Sequence, residues 1–164
     1  MSDVSTPCRE AALKLLERTR RTRRDLERRL KEKDFDAATI AATLDRLAEV
    51  GLIDDVEFAR AWLAGRWGRK PSGWRRLVQE LRAKGISEED AERARELLSE
   101  RGSAPDEVGS AAKLVAQARK RYARLEPQAQ RQRLYALLAR RGYDSDVIRR
   151  ALELKEPLES GAEG

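Results

Sequence analysis

A short segment in the middle of the chain, Leu81 to Ser87, has the pattern of one helix ending and another beginning within a few residues. If Gly85 is the first residue beyond a helix end, Leu81 and Ile86 occupy the two positions that touch in a Schellman turn. Glycine suits this place because its left-handed backbone is unfavourable for a residue with a Cβ atom. Ser87 then caps the next helix, with Asp90 as its capping-box partner. The segment therefore predicts a rigid corner between two helices.

The same corner occurs three times along the chain. The apolar triplets, which share one spacing, are Leu26, Leu30 and Phe35, then Leu77, Leu81 and Ile86, then Leu134, Leu138 and Tyr143. The turn positions are Asp34, Gly85 and Gly142, the caps that follow are Asp36, Ser87 and Asp144, and the next apolar partners are Ile40, Ala91 and Ile148. The copies lie 51 and then 57 residues apart, a period typical of helical arrays. Three unrelated helix hairpins are the alternative, but three copies in register favour an array.

The remaining pattern predicts an all-α fold, an elongated right-to-left array of three three-helix repeats with no sheet. Apolar residues recur at helical spacing, and no run of alternating apolar residues is long enough for a strand. The expected boundaries are a disordered N-terminus over 1–7, repeats over 8–50, 51–101 and 102–154, and a flexible acidic tail over 155–164. Trp62, four residues after Phe58, is expected in the core. Trp74 fits either the core or an exposed stacking surface.

Composition excludes the common kinds of active site. With one cysteine and no histidine, the chain has neither a disulfide framework nor the usual zinc or histidine-based catalytic sites. Cys8 lies near the N-terminal end with no evident base, and no phosphate-binding loop motif is present. We therefore expect a binding or regulatory module with no catalysis, cofactor or metal. Because no secretory or membrane-spanning segment is visible, we expect a soluble, cytoplasmic monomer.

Charge follows the period of the repeats. The chain carries a net charge of +6. Three basic windows, 18–31, 60–84 and 113–141, have net charges of +6, +7 and +8, and the windows between them, 32–59 and 85–112, have −6 and −5. Residues 142–164 carry −3. Stacked repeats would place three basic surfaces in a row, which favours a polyanionic or acidic partner.

The residues expected to contact this partner lie in the three basic windows. They are Arg20, Arg21, Arg23, Arg24, Arg66, Arg69, Lys70, Arg75, Arg76, Lys120, Arg121, Arg131 and Arg133. A structural alternative exists, because basic residues in the last turn of a helix are stabilised by the helix dipole. That explanation serves Arg82, Lys84, Arg140 and Arg141, but not the arginines of a first helical turn or the basic residues around the loop and helix start at Trp74. Binding of phosphate or carboxylate is the interpretation we favour for these clusters.

The sequence also resembles a known family, the RecX regulatory proteins, which modulate the bacterial RecA recombinase. The resemblance covers roughly residues 11–154. It is strongest over Arg18–Leu26, Gly51–Ala59, Glu80–Ile86 and Leu137–Tyr143. The departures are small, with Thr22 where serine is usual and Asp34 in place of a turn glycine.

The resemblance implies an all-α array of three-helix repeats that lodges along the groove of the RecA–DNA filament. It further implies inhibition of ATP hydrolysis, strand exchange and coprotease activity, and so regulation of recombination, DNA repair and the SOS response. Weak, non-specific contact with single- and double-stranded DNA is expected. The alternative is a helix-turn-helix DNA-binding protein without enzymatic activity, since two capped helices around a short turn look like that motif. The spread of basic residues over all three repeats favours the filament regulator.

Overall fold

The chain folds into helices joined by short turns. The computed structural model describes residues 5–67 and 69–154, and these residues form nine α-helices and no β-strand. The helices are α1 (Ser5–Arg18), α2 (Arg23–Lys31), α3 (Ala37–Glu49), α4 (Asp55–Arg66), α5 (Trp74–Ala83), α6 (Glu88–Glu100), α7 (Glu107–Arg121), α8 (Pro127–Arg140) and α9 (Ser145–Glu153). The predicted all-α class and its three triplets of helices are confirmed. The expected acidic tail, 155–164, lies outside the described residues.

All three predicted corners are Schellman turns. The turn residue has a positive φ in each, 65° at Asp34, 91° at Gly85 and 87° at Gly142. The next N–H donates to a leucine carbonyl five residues back, from Phe35 to Leu30 at 3.3 Å, from Ile86 to Leu81 at 3.0 Å and from Tyr143 to Leu138 at 3.2 Å. The apolar residue after each turn packs inward, and Ile86 and Tyr143 are almost fully buried. The corner between α2 and α3 thus forms with aspartate in the left-handed position.

Side-chain caps start α2, α3 and α6, the last two at the predicted positions Asp36 and Ser87. Thr22, Asp36 and Ser87 each accept the backbone N–H of the residue three positions later, at 3.1, 2.9 and 3.1 Å. Asp144 occupies the equivalent position before α9 but makes no side-chain capping bond. Its carboxylate lies 3.8 Å from the guanidinium of Arg75. The predicted capping role of Asp144 is therefore met only by its backbone position.

The described residues divide into two compact units, each with its own core. The first unit takes the residues up to Leu63 together with Glu80–Gly102, and the second takes Ala64–Gln79 and the residues from Ser103 on. In the first, α1, α2 and α3 pack on one another, and in the second, α7, α8 and α9 do the same. The first core contains Cys8, Ala12, Leu26, Leu30, Ile40, Leu44, Leu47 and Ile53. The second contains Ala111, Val115, Ala118, Leu134, Leu138, Tyr143, Ile148, Ala151 and Leu152.

Three details differ from the sequence-based expectations. Helix α1 begins at Ser5, inside the stretch expected to be disordered, and Cys8 is consequently a fully buried core residue rather than part of a frayed end. Trp62 is only partly buried, whereas Trp67 and Trp74 are both buried with ring centroids 5.7 Å apart. Because Trp74 packs against another indole, it belongs to the core and not to an exposed stacking surface. None of the helices in the described segments has the length and apolar character needed to cross a membrane.

Candidate polyanion-binding surface

The first basic cluster, which consists of the Lys and Arg residues of window 18–31, surrounds the N-terminus of α2. Contacts from α4 and from the α5–α6 corner fix this helix end. The Thr22 hydroxyl accepts the cap bond from the Asp25 N–H and donates its own proton to the carbonyl oxygen of Lys84 at 2.9 Å. The Arg23 N–H donates to the carboxylate of Asp55, in the first turn of α4, at 3.0 Å. Two orphan N–H donors of this helix end are thus satisfied, one by Thr22 itself and one by Asp55 of the next repeat. The arginines of α2 therefore project from a rigid base.

An equivalent arrangement fixes the N-terminus of α5 in the second unit. The Gly73 N–H donates to the Arg141 carbonyl at 2.8 Å, and the Arg75 N–H donates to the Gly142 carbonyl at 3.2 Å. The Trp74 N–H donates to the carboxylate of Glu107, in the first turn of α7, at 3.0 Å. In both units, then, an acidic residue and a corner of the following repeat hold the start of a middle helix.

A cleft in the first unit gathers most of the first basic cluster. Its volume is about 1040 Å³. It is lined by seven basic and three acidic residues together with Thr22, Phe58 and Ala83. The basic residues are Arg20, Arg21, Arg24, Arg28, Arg29, Lys31 and Lys84, and the acidic residues are Asp25, Glu27 and Glu32. The cleft is therefore a concave surface with a formal excess of four positive charges.

Asp25 balances part of this charge by accepting hydrogen bonds from three arginines. The Arg21 and Arg29 guanidinium groups reach one carboxylate oxygen at 2.8 and 3.0 Å, and Arg28 reaches the other at 2.9 Å. Burial raises the pKa of Asp25, but the three hydrogen bonds and the Arg29 charge outweigh it and lower this pKa from 3.8 to about 2. Glu32 takes a second bond from Arg28. Asp25 thus holds Arg28 and Arg29 of α2 together with Arg21, which precedes the helix.

Two cations of the cleft have no carboxylate partner among the described residues. Arg24 and Lys84 are both exposed and neither forms an ion pair in that part of the chain, although the charge of Arg24 contributes to lowering the pKa of Glu27. The aliphatic stem of Arg24 crosses the corner so closely that a Cβ added at Gly85 would lie 2.6 Å from the Arg24 Cβ. Because glycine has no Cβ, it admits this close approach of the Arg24 stem to the α5–α6 corner. These two side chains are the best placed in the cleft to meet an incoming anion.

The other residues expected in this cluster have partners within the unit. Arg20 is exposed but pairs with Glu57 at 3.3 Å. The pKa of Glu57 is lowered to about 2, chiefly by the Arg60 hydrogen bond and further by Arg20. Arg21 is largely buried and also donates to the Leu15 carbonyl at 3.1 Å. Arg23 pairs with Asp45 at 2.5 Å. Arg21 and Arg23 are therefore placed to stabilise the fold of this unit, in addition to any contact with a partner.

The second unit holds the remaining expected residues in separate segments. Arg66 donates to the Lys70 carbonyl and to the Ser72 hydroxyl at 3.0 and 3.4 Å, while Arg69 and Lys70 are exposed. Arg75 is 72% exposed, but Arg76 is partly buried against the α8–α9 corner. The exposed cations on α7 and α8 without a carboxylate partner in the described segments include the four expected there, Lys120, Arg121, Arg131 and Arg133. Arg76 thus combines its charge with a packing role.

Sequence reasoning missed four cleft residues, Arg28, Arg29, Lys31 and Lys84. The signal for the first three was present, since they belong to the same basic window as Arg24 and lie on the same helix. Lys84 is 60 residues further along the chain, and only the Thr22 contact reveals that the two segments meet. Among the described residues, no group of His, Cys, Asp or Glu side chains is placed to hold a metal ion. The arrangement is suited to holding an extended anion.

The Asp25 cluster makes a testable contribution to acid stability. Because the folded-state pKa lies below the ordinary value, the stabilisation is present above about pH 4 and is lost as the pH falls through about 2. We expect this difference to be worth about 1–2 kcal/mol. Urea unfolding at several pH values should show wild type losing more stability on acidification than Asp25→Asn. The exposed Asp146→Asn serves as the control, and an unchanged acid response in Asp25→Asn would contradict the assignment.

Comparison with family models matches all three repeats, in order along the chain. Residues 8–47 match the model of the first three-helix domain of RecX, residues 54–94 that of the second and residues 106–152 that of the third. Similar curated proteins include the regulatory protein RecX of Chlorobium phaeobacteroides (strain BS1), 35% identical over 88% of this chain and 90% of that protein. The regulatory protein RecX of Thermobifida fusca (strain YX) is 34% identical over 96% of this chain and 82% of that protein.

Solved structures show the same fold. The crystal structure of RecX from Lactobacillus salivarius superposes with a TM-score of 0.80 at 22% identity, covering 93% of this chain and 96% of that one. A second crystal structure, of a regulatory protein RecX, gives a TM-score of 0.73 at 25% identity over 90% of this chain and 72% of that one. The similarity in sequence and in fold therefore extends over 88–96% of this chain and 72–96% of each relative.

Proposed function

Because the chain belongs to the RecX family of regulatory proteins, we propose that it binds the RecA–DNA filament in the cytoplasm and inhibits RecA. The inhibited activities would be ATP hydrolysis, strand exchange and coprotease action, so that the protein modulates recombination and DNA repair. The observation that carries this proposal is the ordered match of all three three-helix domains, which leaves no other domain to supply a different activity in the matched residues. The basic surfaces supply the physical means of binding.

In this proposal the cleft of the first unit contacts the phosphate backbone within the filament. Arg24 and Lys84 lack carboxylate partners there, and the three cations on Asp25 are held in fixed positions beside them. Cations four residues apart on a helix are separated by about 6 Å along its axis. Such a row of cations can contact several charges of an extended polyanion at once. Contacts of this kind are independent of base sequence and weaken as salt is added.

The helix-turn-helix alternative is disfavoured by the helix that follows each corner. In a helix-turn-helix protein the N-terminal residues of the second helix contact base edges in the major groove. Here the helices in that position, α3, α6 and α9, start with carboxylates. The starting residues are Asp36 for α3, Glu88, Glu89 and Asp90 for α6, and Asp144 and Asp146 for α9. Negative charge at these positions would repel the DNA phosphates, so these helices do not suit the role of a reading helix.

The test is a titration of the purified protein against RecA filaments assembled on single-stranded DNA. We expect DNA-dependent ATP hydrolysis and strand exchange to fall as the protein is added, with much tighter binding to filament than to bare DNA. A salt series should weaken binding to both, because phosphate contacts contribute to each. Light scattering distinguishes blocked growth from accelerated disassembly. Sequence-specific binding to bare DNA with no effect on RecA would instead support the helix-turn-helix alternative and overturn the proposal.

A further inference from the structure

The turn between α3 and α4 exposes two aliphatic side chains on either side of a glycine. Val50 is 65% exposed and Leu52 is 52% exposed, more than any other large hydrophobic residue in the described parts of the chain. The neighbouring Ile53 is buried, with 6% exposure, and so anchors the turn without them. Exposed aliphatic residues taken singly are ordinary, but two in one turn of so polar a protein form a local apolar surface. We call Val50 and Leu52 the apolar knob.

The backbone of this turn does not require apolar residues. Gly51 has a φ of 75°, and its N–H donates to the Ala48 carbonyl at 3.0 Å. The turn after α6 has the same geometry, with Gly102 at a φ of 65° and its N–H donating to the Ser99 carbonyl at 3.0 Å. At that second turn the positions equivalent to Val50 and Leu52 are occupied by Arg101 and Ser103. The turn at Gly102 thus shows that polar residues fit this conformation.

The surroundings of the apolar knob are acidic. Residues 47–59 include four carboxylates and no Lys or Arg, and the nearest basic residue in the sequence is Arg46, one helical turn before Val50. Of these, Glu49 and Asp54 are exposed directly beside the knob, and Asp54 also accepts the N–H of Glu57 at 3.0 Å. A phosphate backbone would be repelled by this charge, so the knob is unsuited to DNA. An apolar pocket bordered by Lys or Arg on a protein would complement both its shape and its charge.

We infer that the apolar knob is a protein-docking element that inserts into an apolar, basic-rimmed pocket of the recombinase subunit. This inference rests on the proposed function, and it assigns binding of the filament to two separate surfaces. The basic cleft contacts the DNA of the filament, and the apolar knob contacts its protein. Because a small buried apolar contact carries a large share of binding at protein interfaces, the knob also provides discrimination between filament and bare DNA.

The experiment compares wild type with Val50→Ser/Leu52→Ser and with Val50→Arg/Leu52→Ser, which installs the residues of the α6–α7 turn. Inhibition of RecA ATP hydrolysis, affinity for bare single-stranded DNA and helicity are measured for each. We expect both variants to need at least about tenfold more protein for half-maximal inhibition, with unchanged helicity and with bare-DNA affinity not reduced. Leu125→Ser, which removes another exposed aliphatic residue from the second unit, should inhibit like wild type.

Each outcome bears on one level of the hypothesis. Full inhibition by both variants would overturn the docking role of the knob while leaving the proposed function intact. An equal loss of inhibition and bare-DNA affinity would also overturn it, because the knob would then act through DNA. If wild type itself fails to inhibit RecA, the proposed function fails first. The variant Val50→Arg/Leu52→Ser guards against misfolding, because arginine and serine already occupy the equivalent positions, 101 and 103, in the turn after α6.

Discussion

Replacing Gly142 with alanine is expected to destabilise the protein by about 2–5 kcal/mol. One part of this cost is the left-handed backbone, since a Cβ at a φ of 87° costs about 1–2 kcal/mol. The other part is close packing, because the new Cβ would lie 2.6 Å from both the backbone nitrogen and the Cβ of Arg76. A backbone atom cannot move aside as a flexible side chain can, and overpacking of this kind costs about 1–3 kcal/mol.

Two further glycine variants separate these terms. Gly102 has a φ of 65° but open space around the position of a Cβ, so Gly102→Ala should cost only about 1–2 kcal/mol. Gly73 has no positive φ, yet its Cβ would meet the Gly142 carbonyl group at 2.2 Å. Gly73→Ala should therefore destabilise through contact alone. Denaturant unfolding followed by circular dichroism measures all three, and equal losses at Gly142 and Gly102 would refute the packing argument.

The second large effect is expected on filament binding from the double variant Arg24→Gln/Lys84→Gln. Glutamine keeps part of the aliphatic stem that crosses Gly85 but removes the two cleft charges that lack carboxylate partners. Loss of two phosphate contacts should weaken filament affinity about tenfold or more at moderate salt. It should also reduce the slope of log affinity against log salt by about 2. Fluorescence anisotropy of labelled DNA, with and without RecA, measures both quantities.

The matched control is Lys33→Gln/Arg46→Gln, which removes the same net charge from two exposed residues of the same unit that lie outside the cleft. If binding responded only to the total charge of the chain, the two double variants would be equally weak. A clear difference assigns the effect to the cleft. Thermal unfolding of both variants should match wild type, because none of the four side chains belongs to an ion pair in the described residues.

The corners could be read from the sequence because their determinants are local. Leu81, Gly85 and Ile86 lie within six residues, and the backbone conformation of the glycine and one side-chain contact fix the turn. Asp36 and Ser87 were recognisable as caps for the same reason. Even Asp34, which departs from glycine, follows the pattern because aspartate tolerates the left-handed region better than most residues.

The features that could not be predicted from the sequence depend on side-chain contacts that only the folded structure shows. Trp62 and Trp74 have similar local surroundings in sequence, but only Trp74 has Trp67 packed against its ring. Lys84 joins the cleft because the Thr22 hydroxyl reaches its carbonyl across 62 residues. Arg76 looks like a surface charge until the approach of Gly142 shows that it is also a packing residue. The spacing of residues in the sequence does not show which side chains meet in the fold. The basic windows could therefore be predicted, but not which of their residues pack in the fold and which are exposed in the cleft.

The start of α5 is completed by groups that come later in the chain, namely the Arg141 and Gly142 carbonyls and the Glu107 carboxylate. A fragment ending before α7 would therefore strip three peptide donors of their acceptors, whereas a fragment lacking α1 to α3 would mainly leave acceptors that water can serve. The two ends of the chain therefore differ in how much the rest of the fold depends on them. Shortening it from the carboxyl end should be more damaging than shortening it from the amino end, because the first and second repeats are each completed by contacts from the repeat that follows.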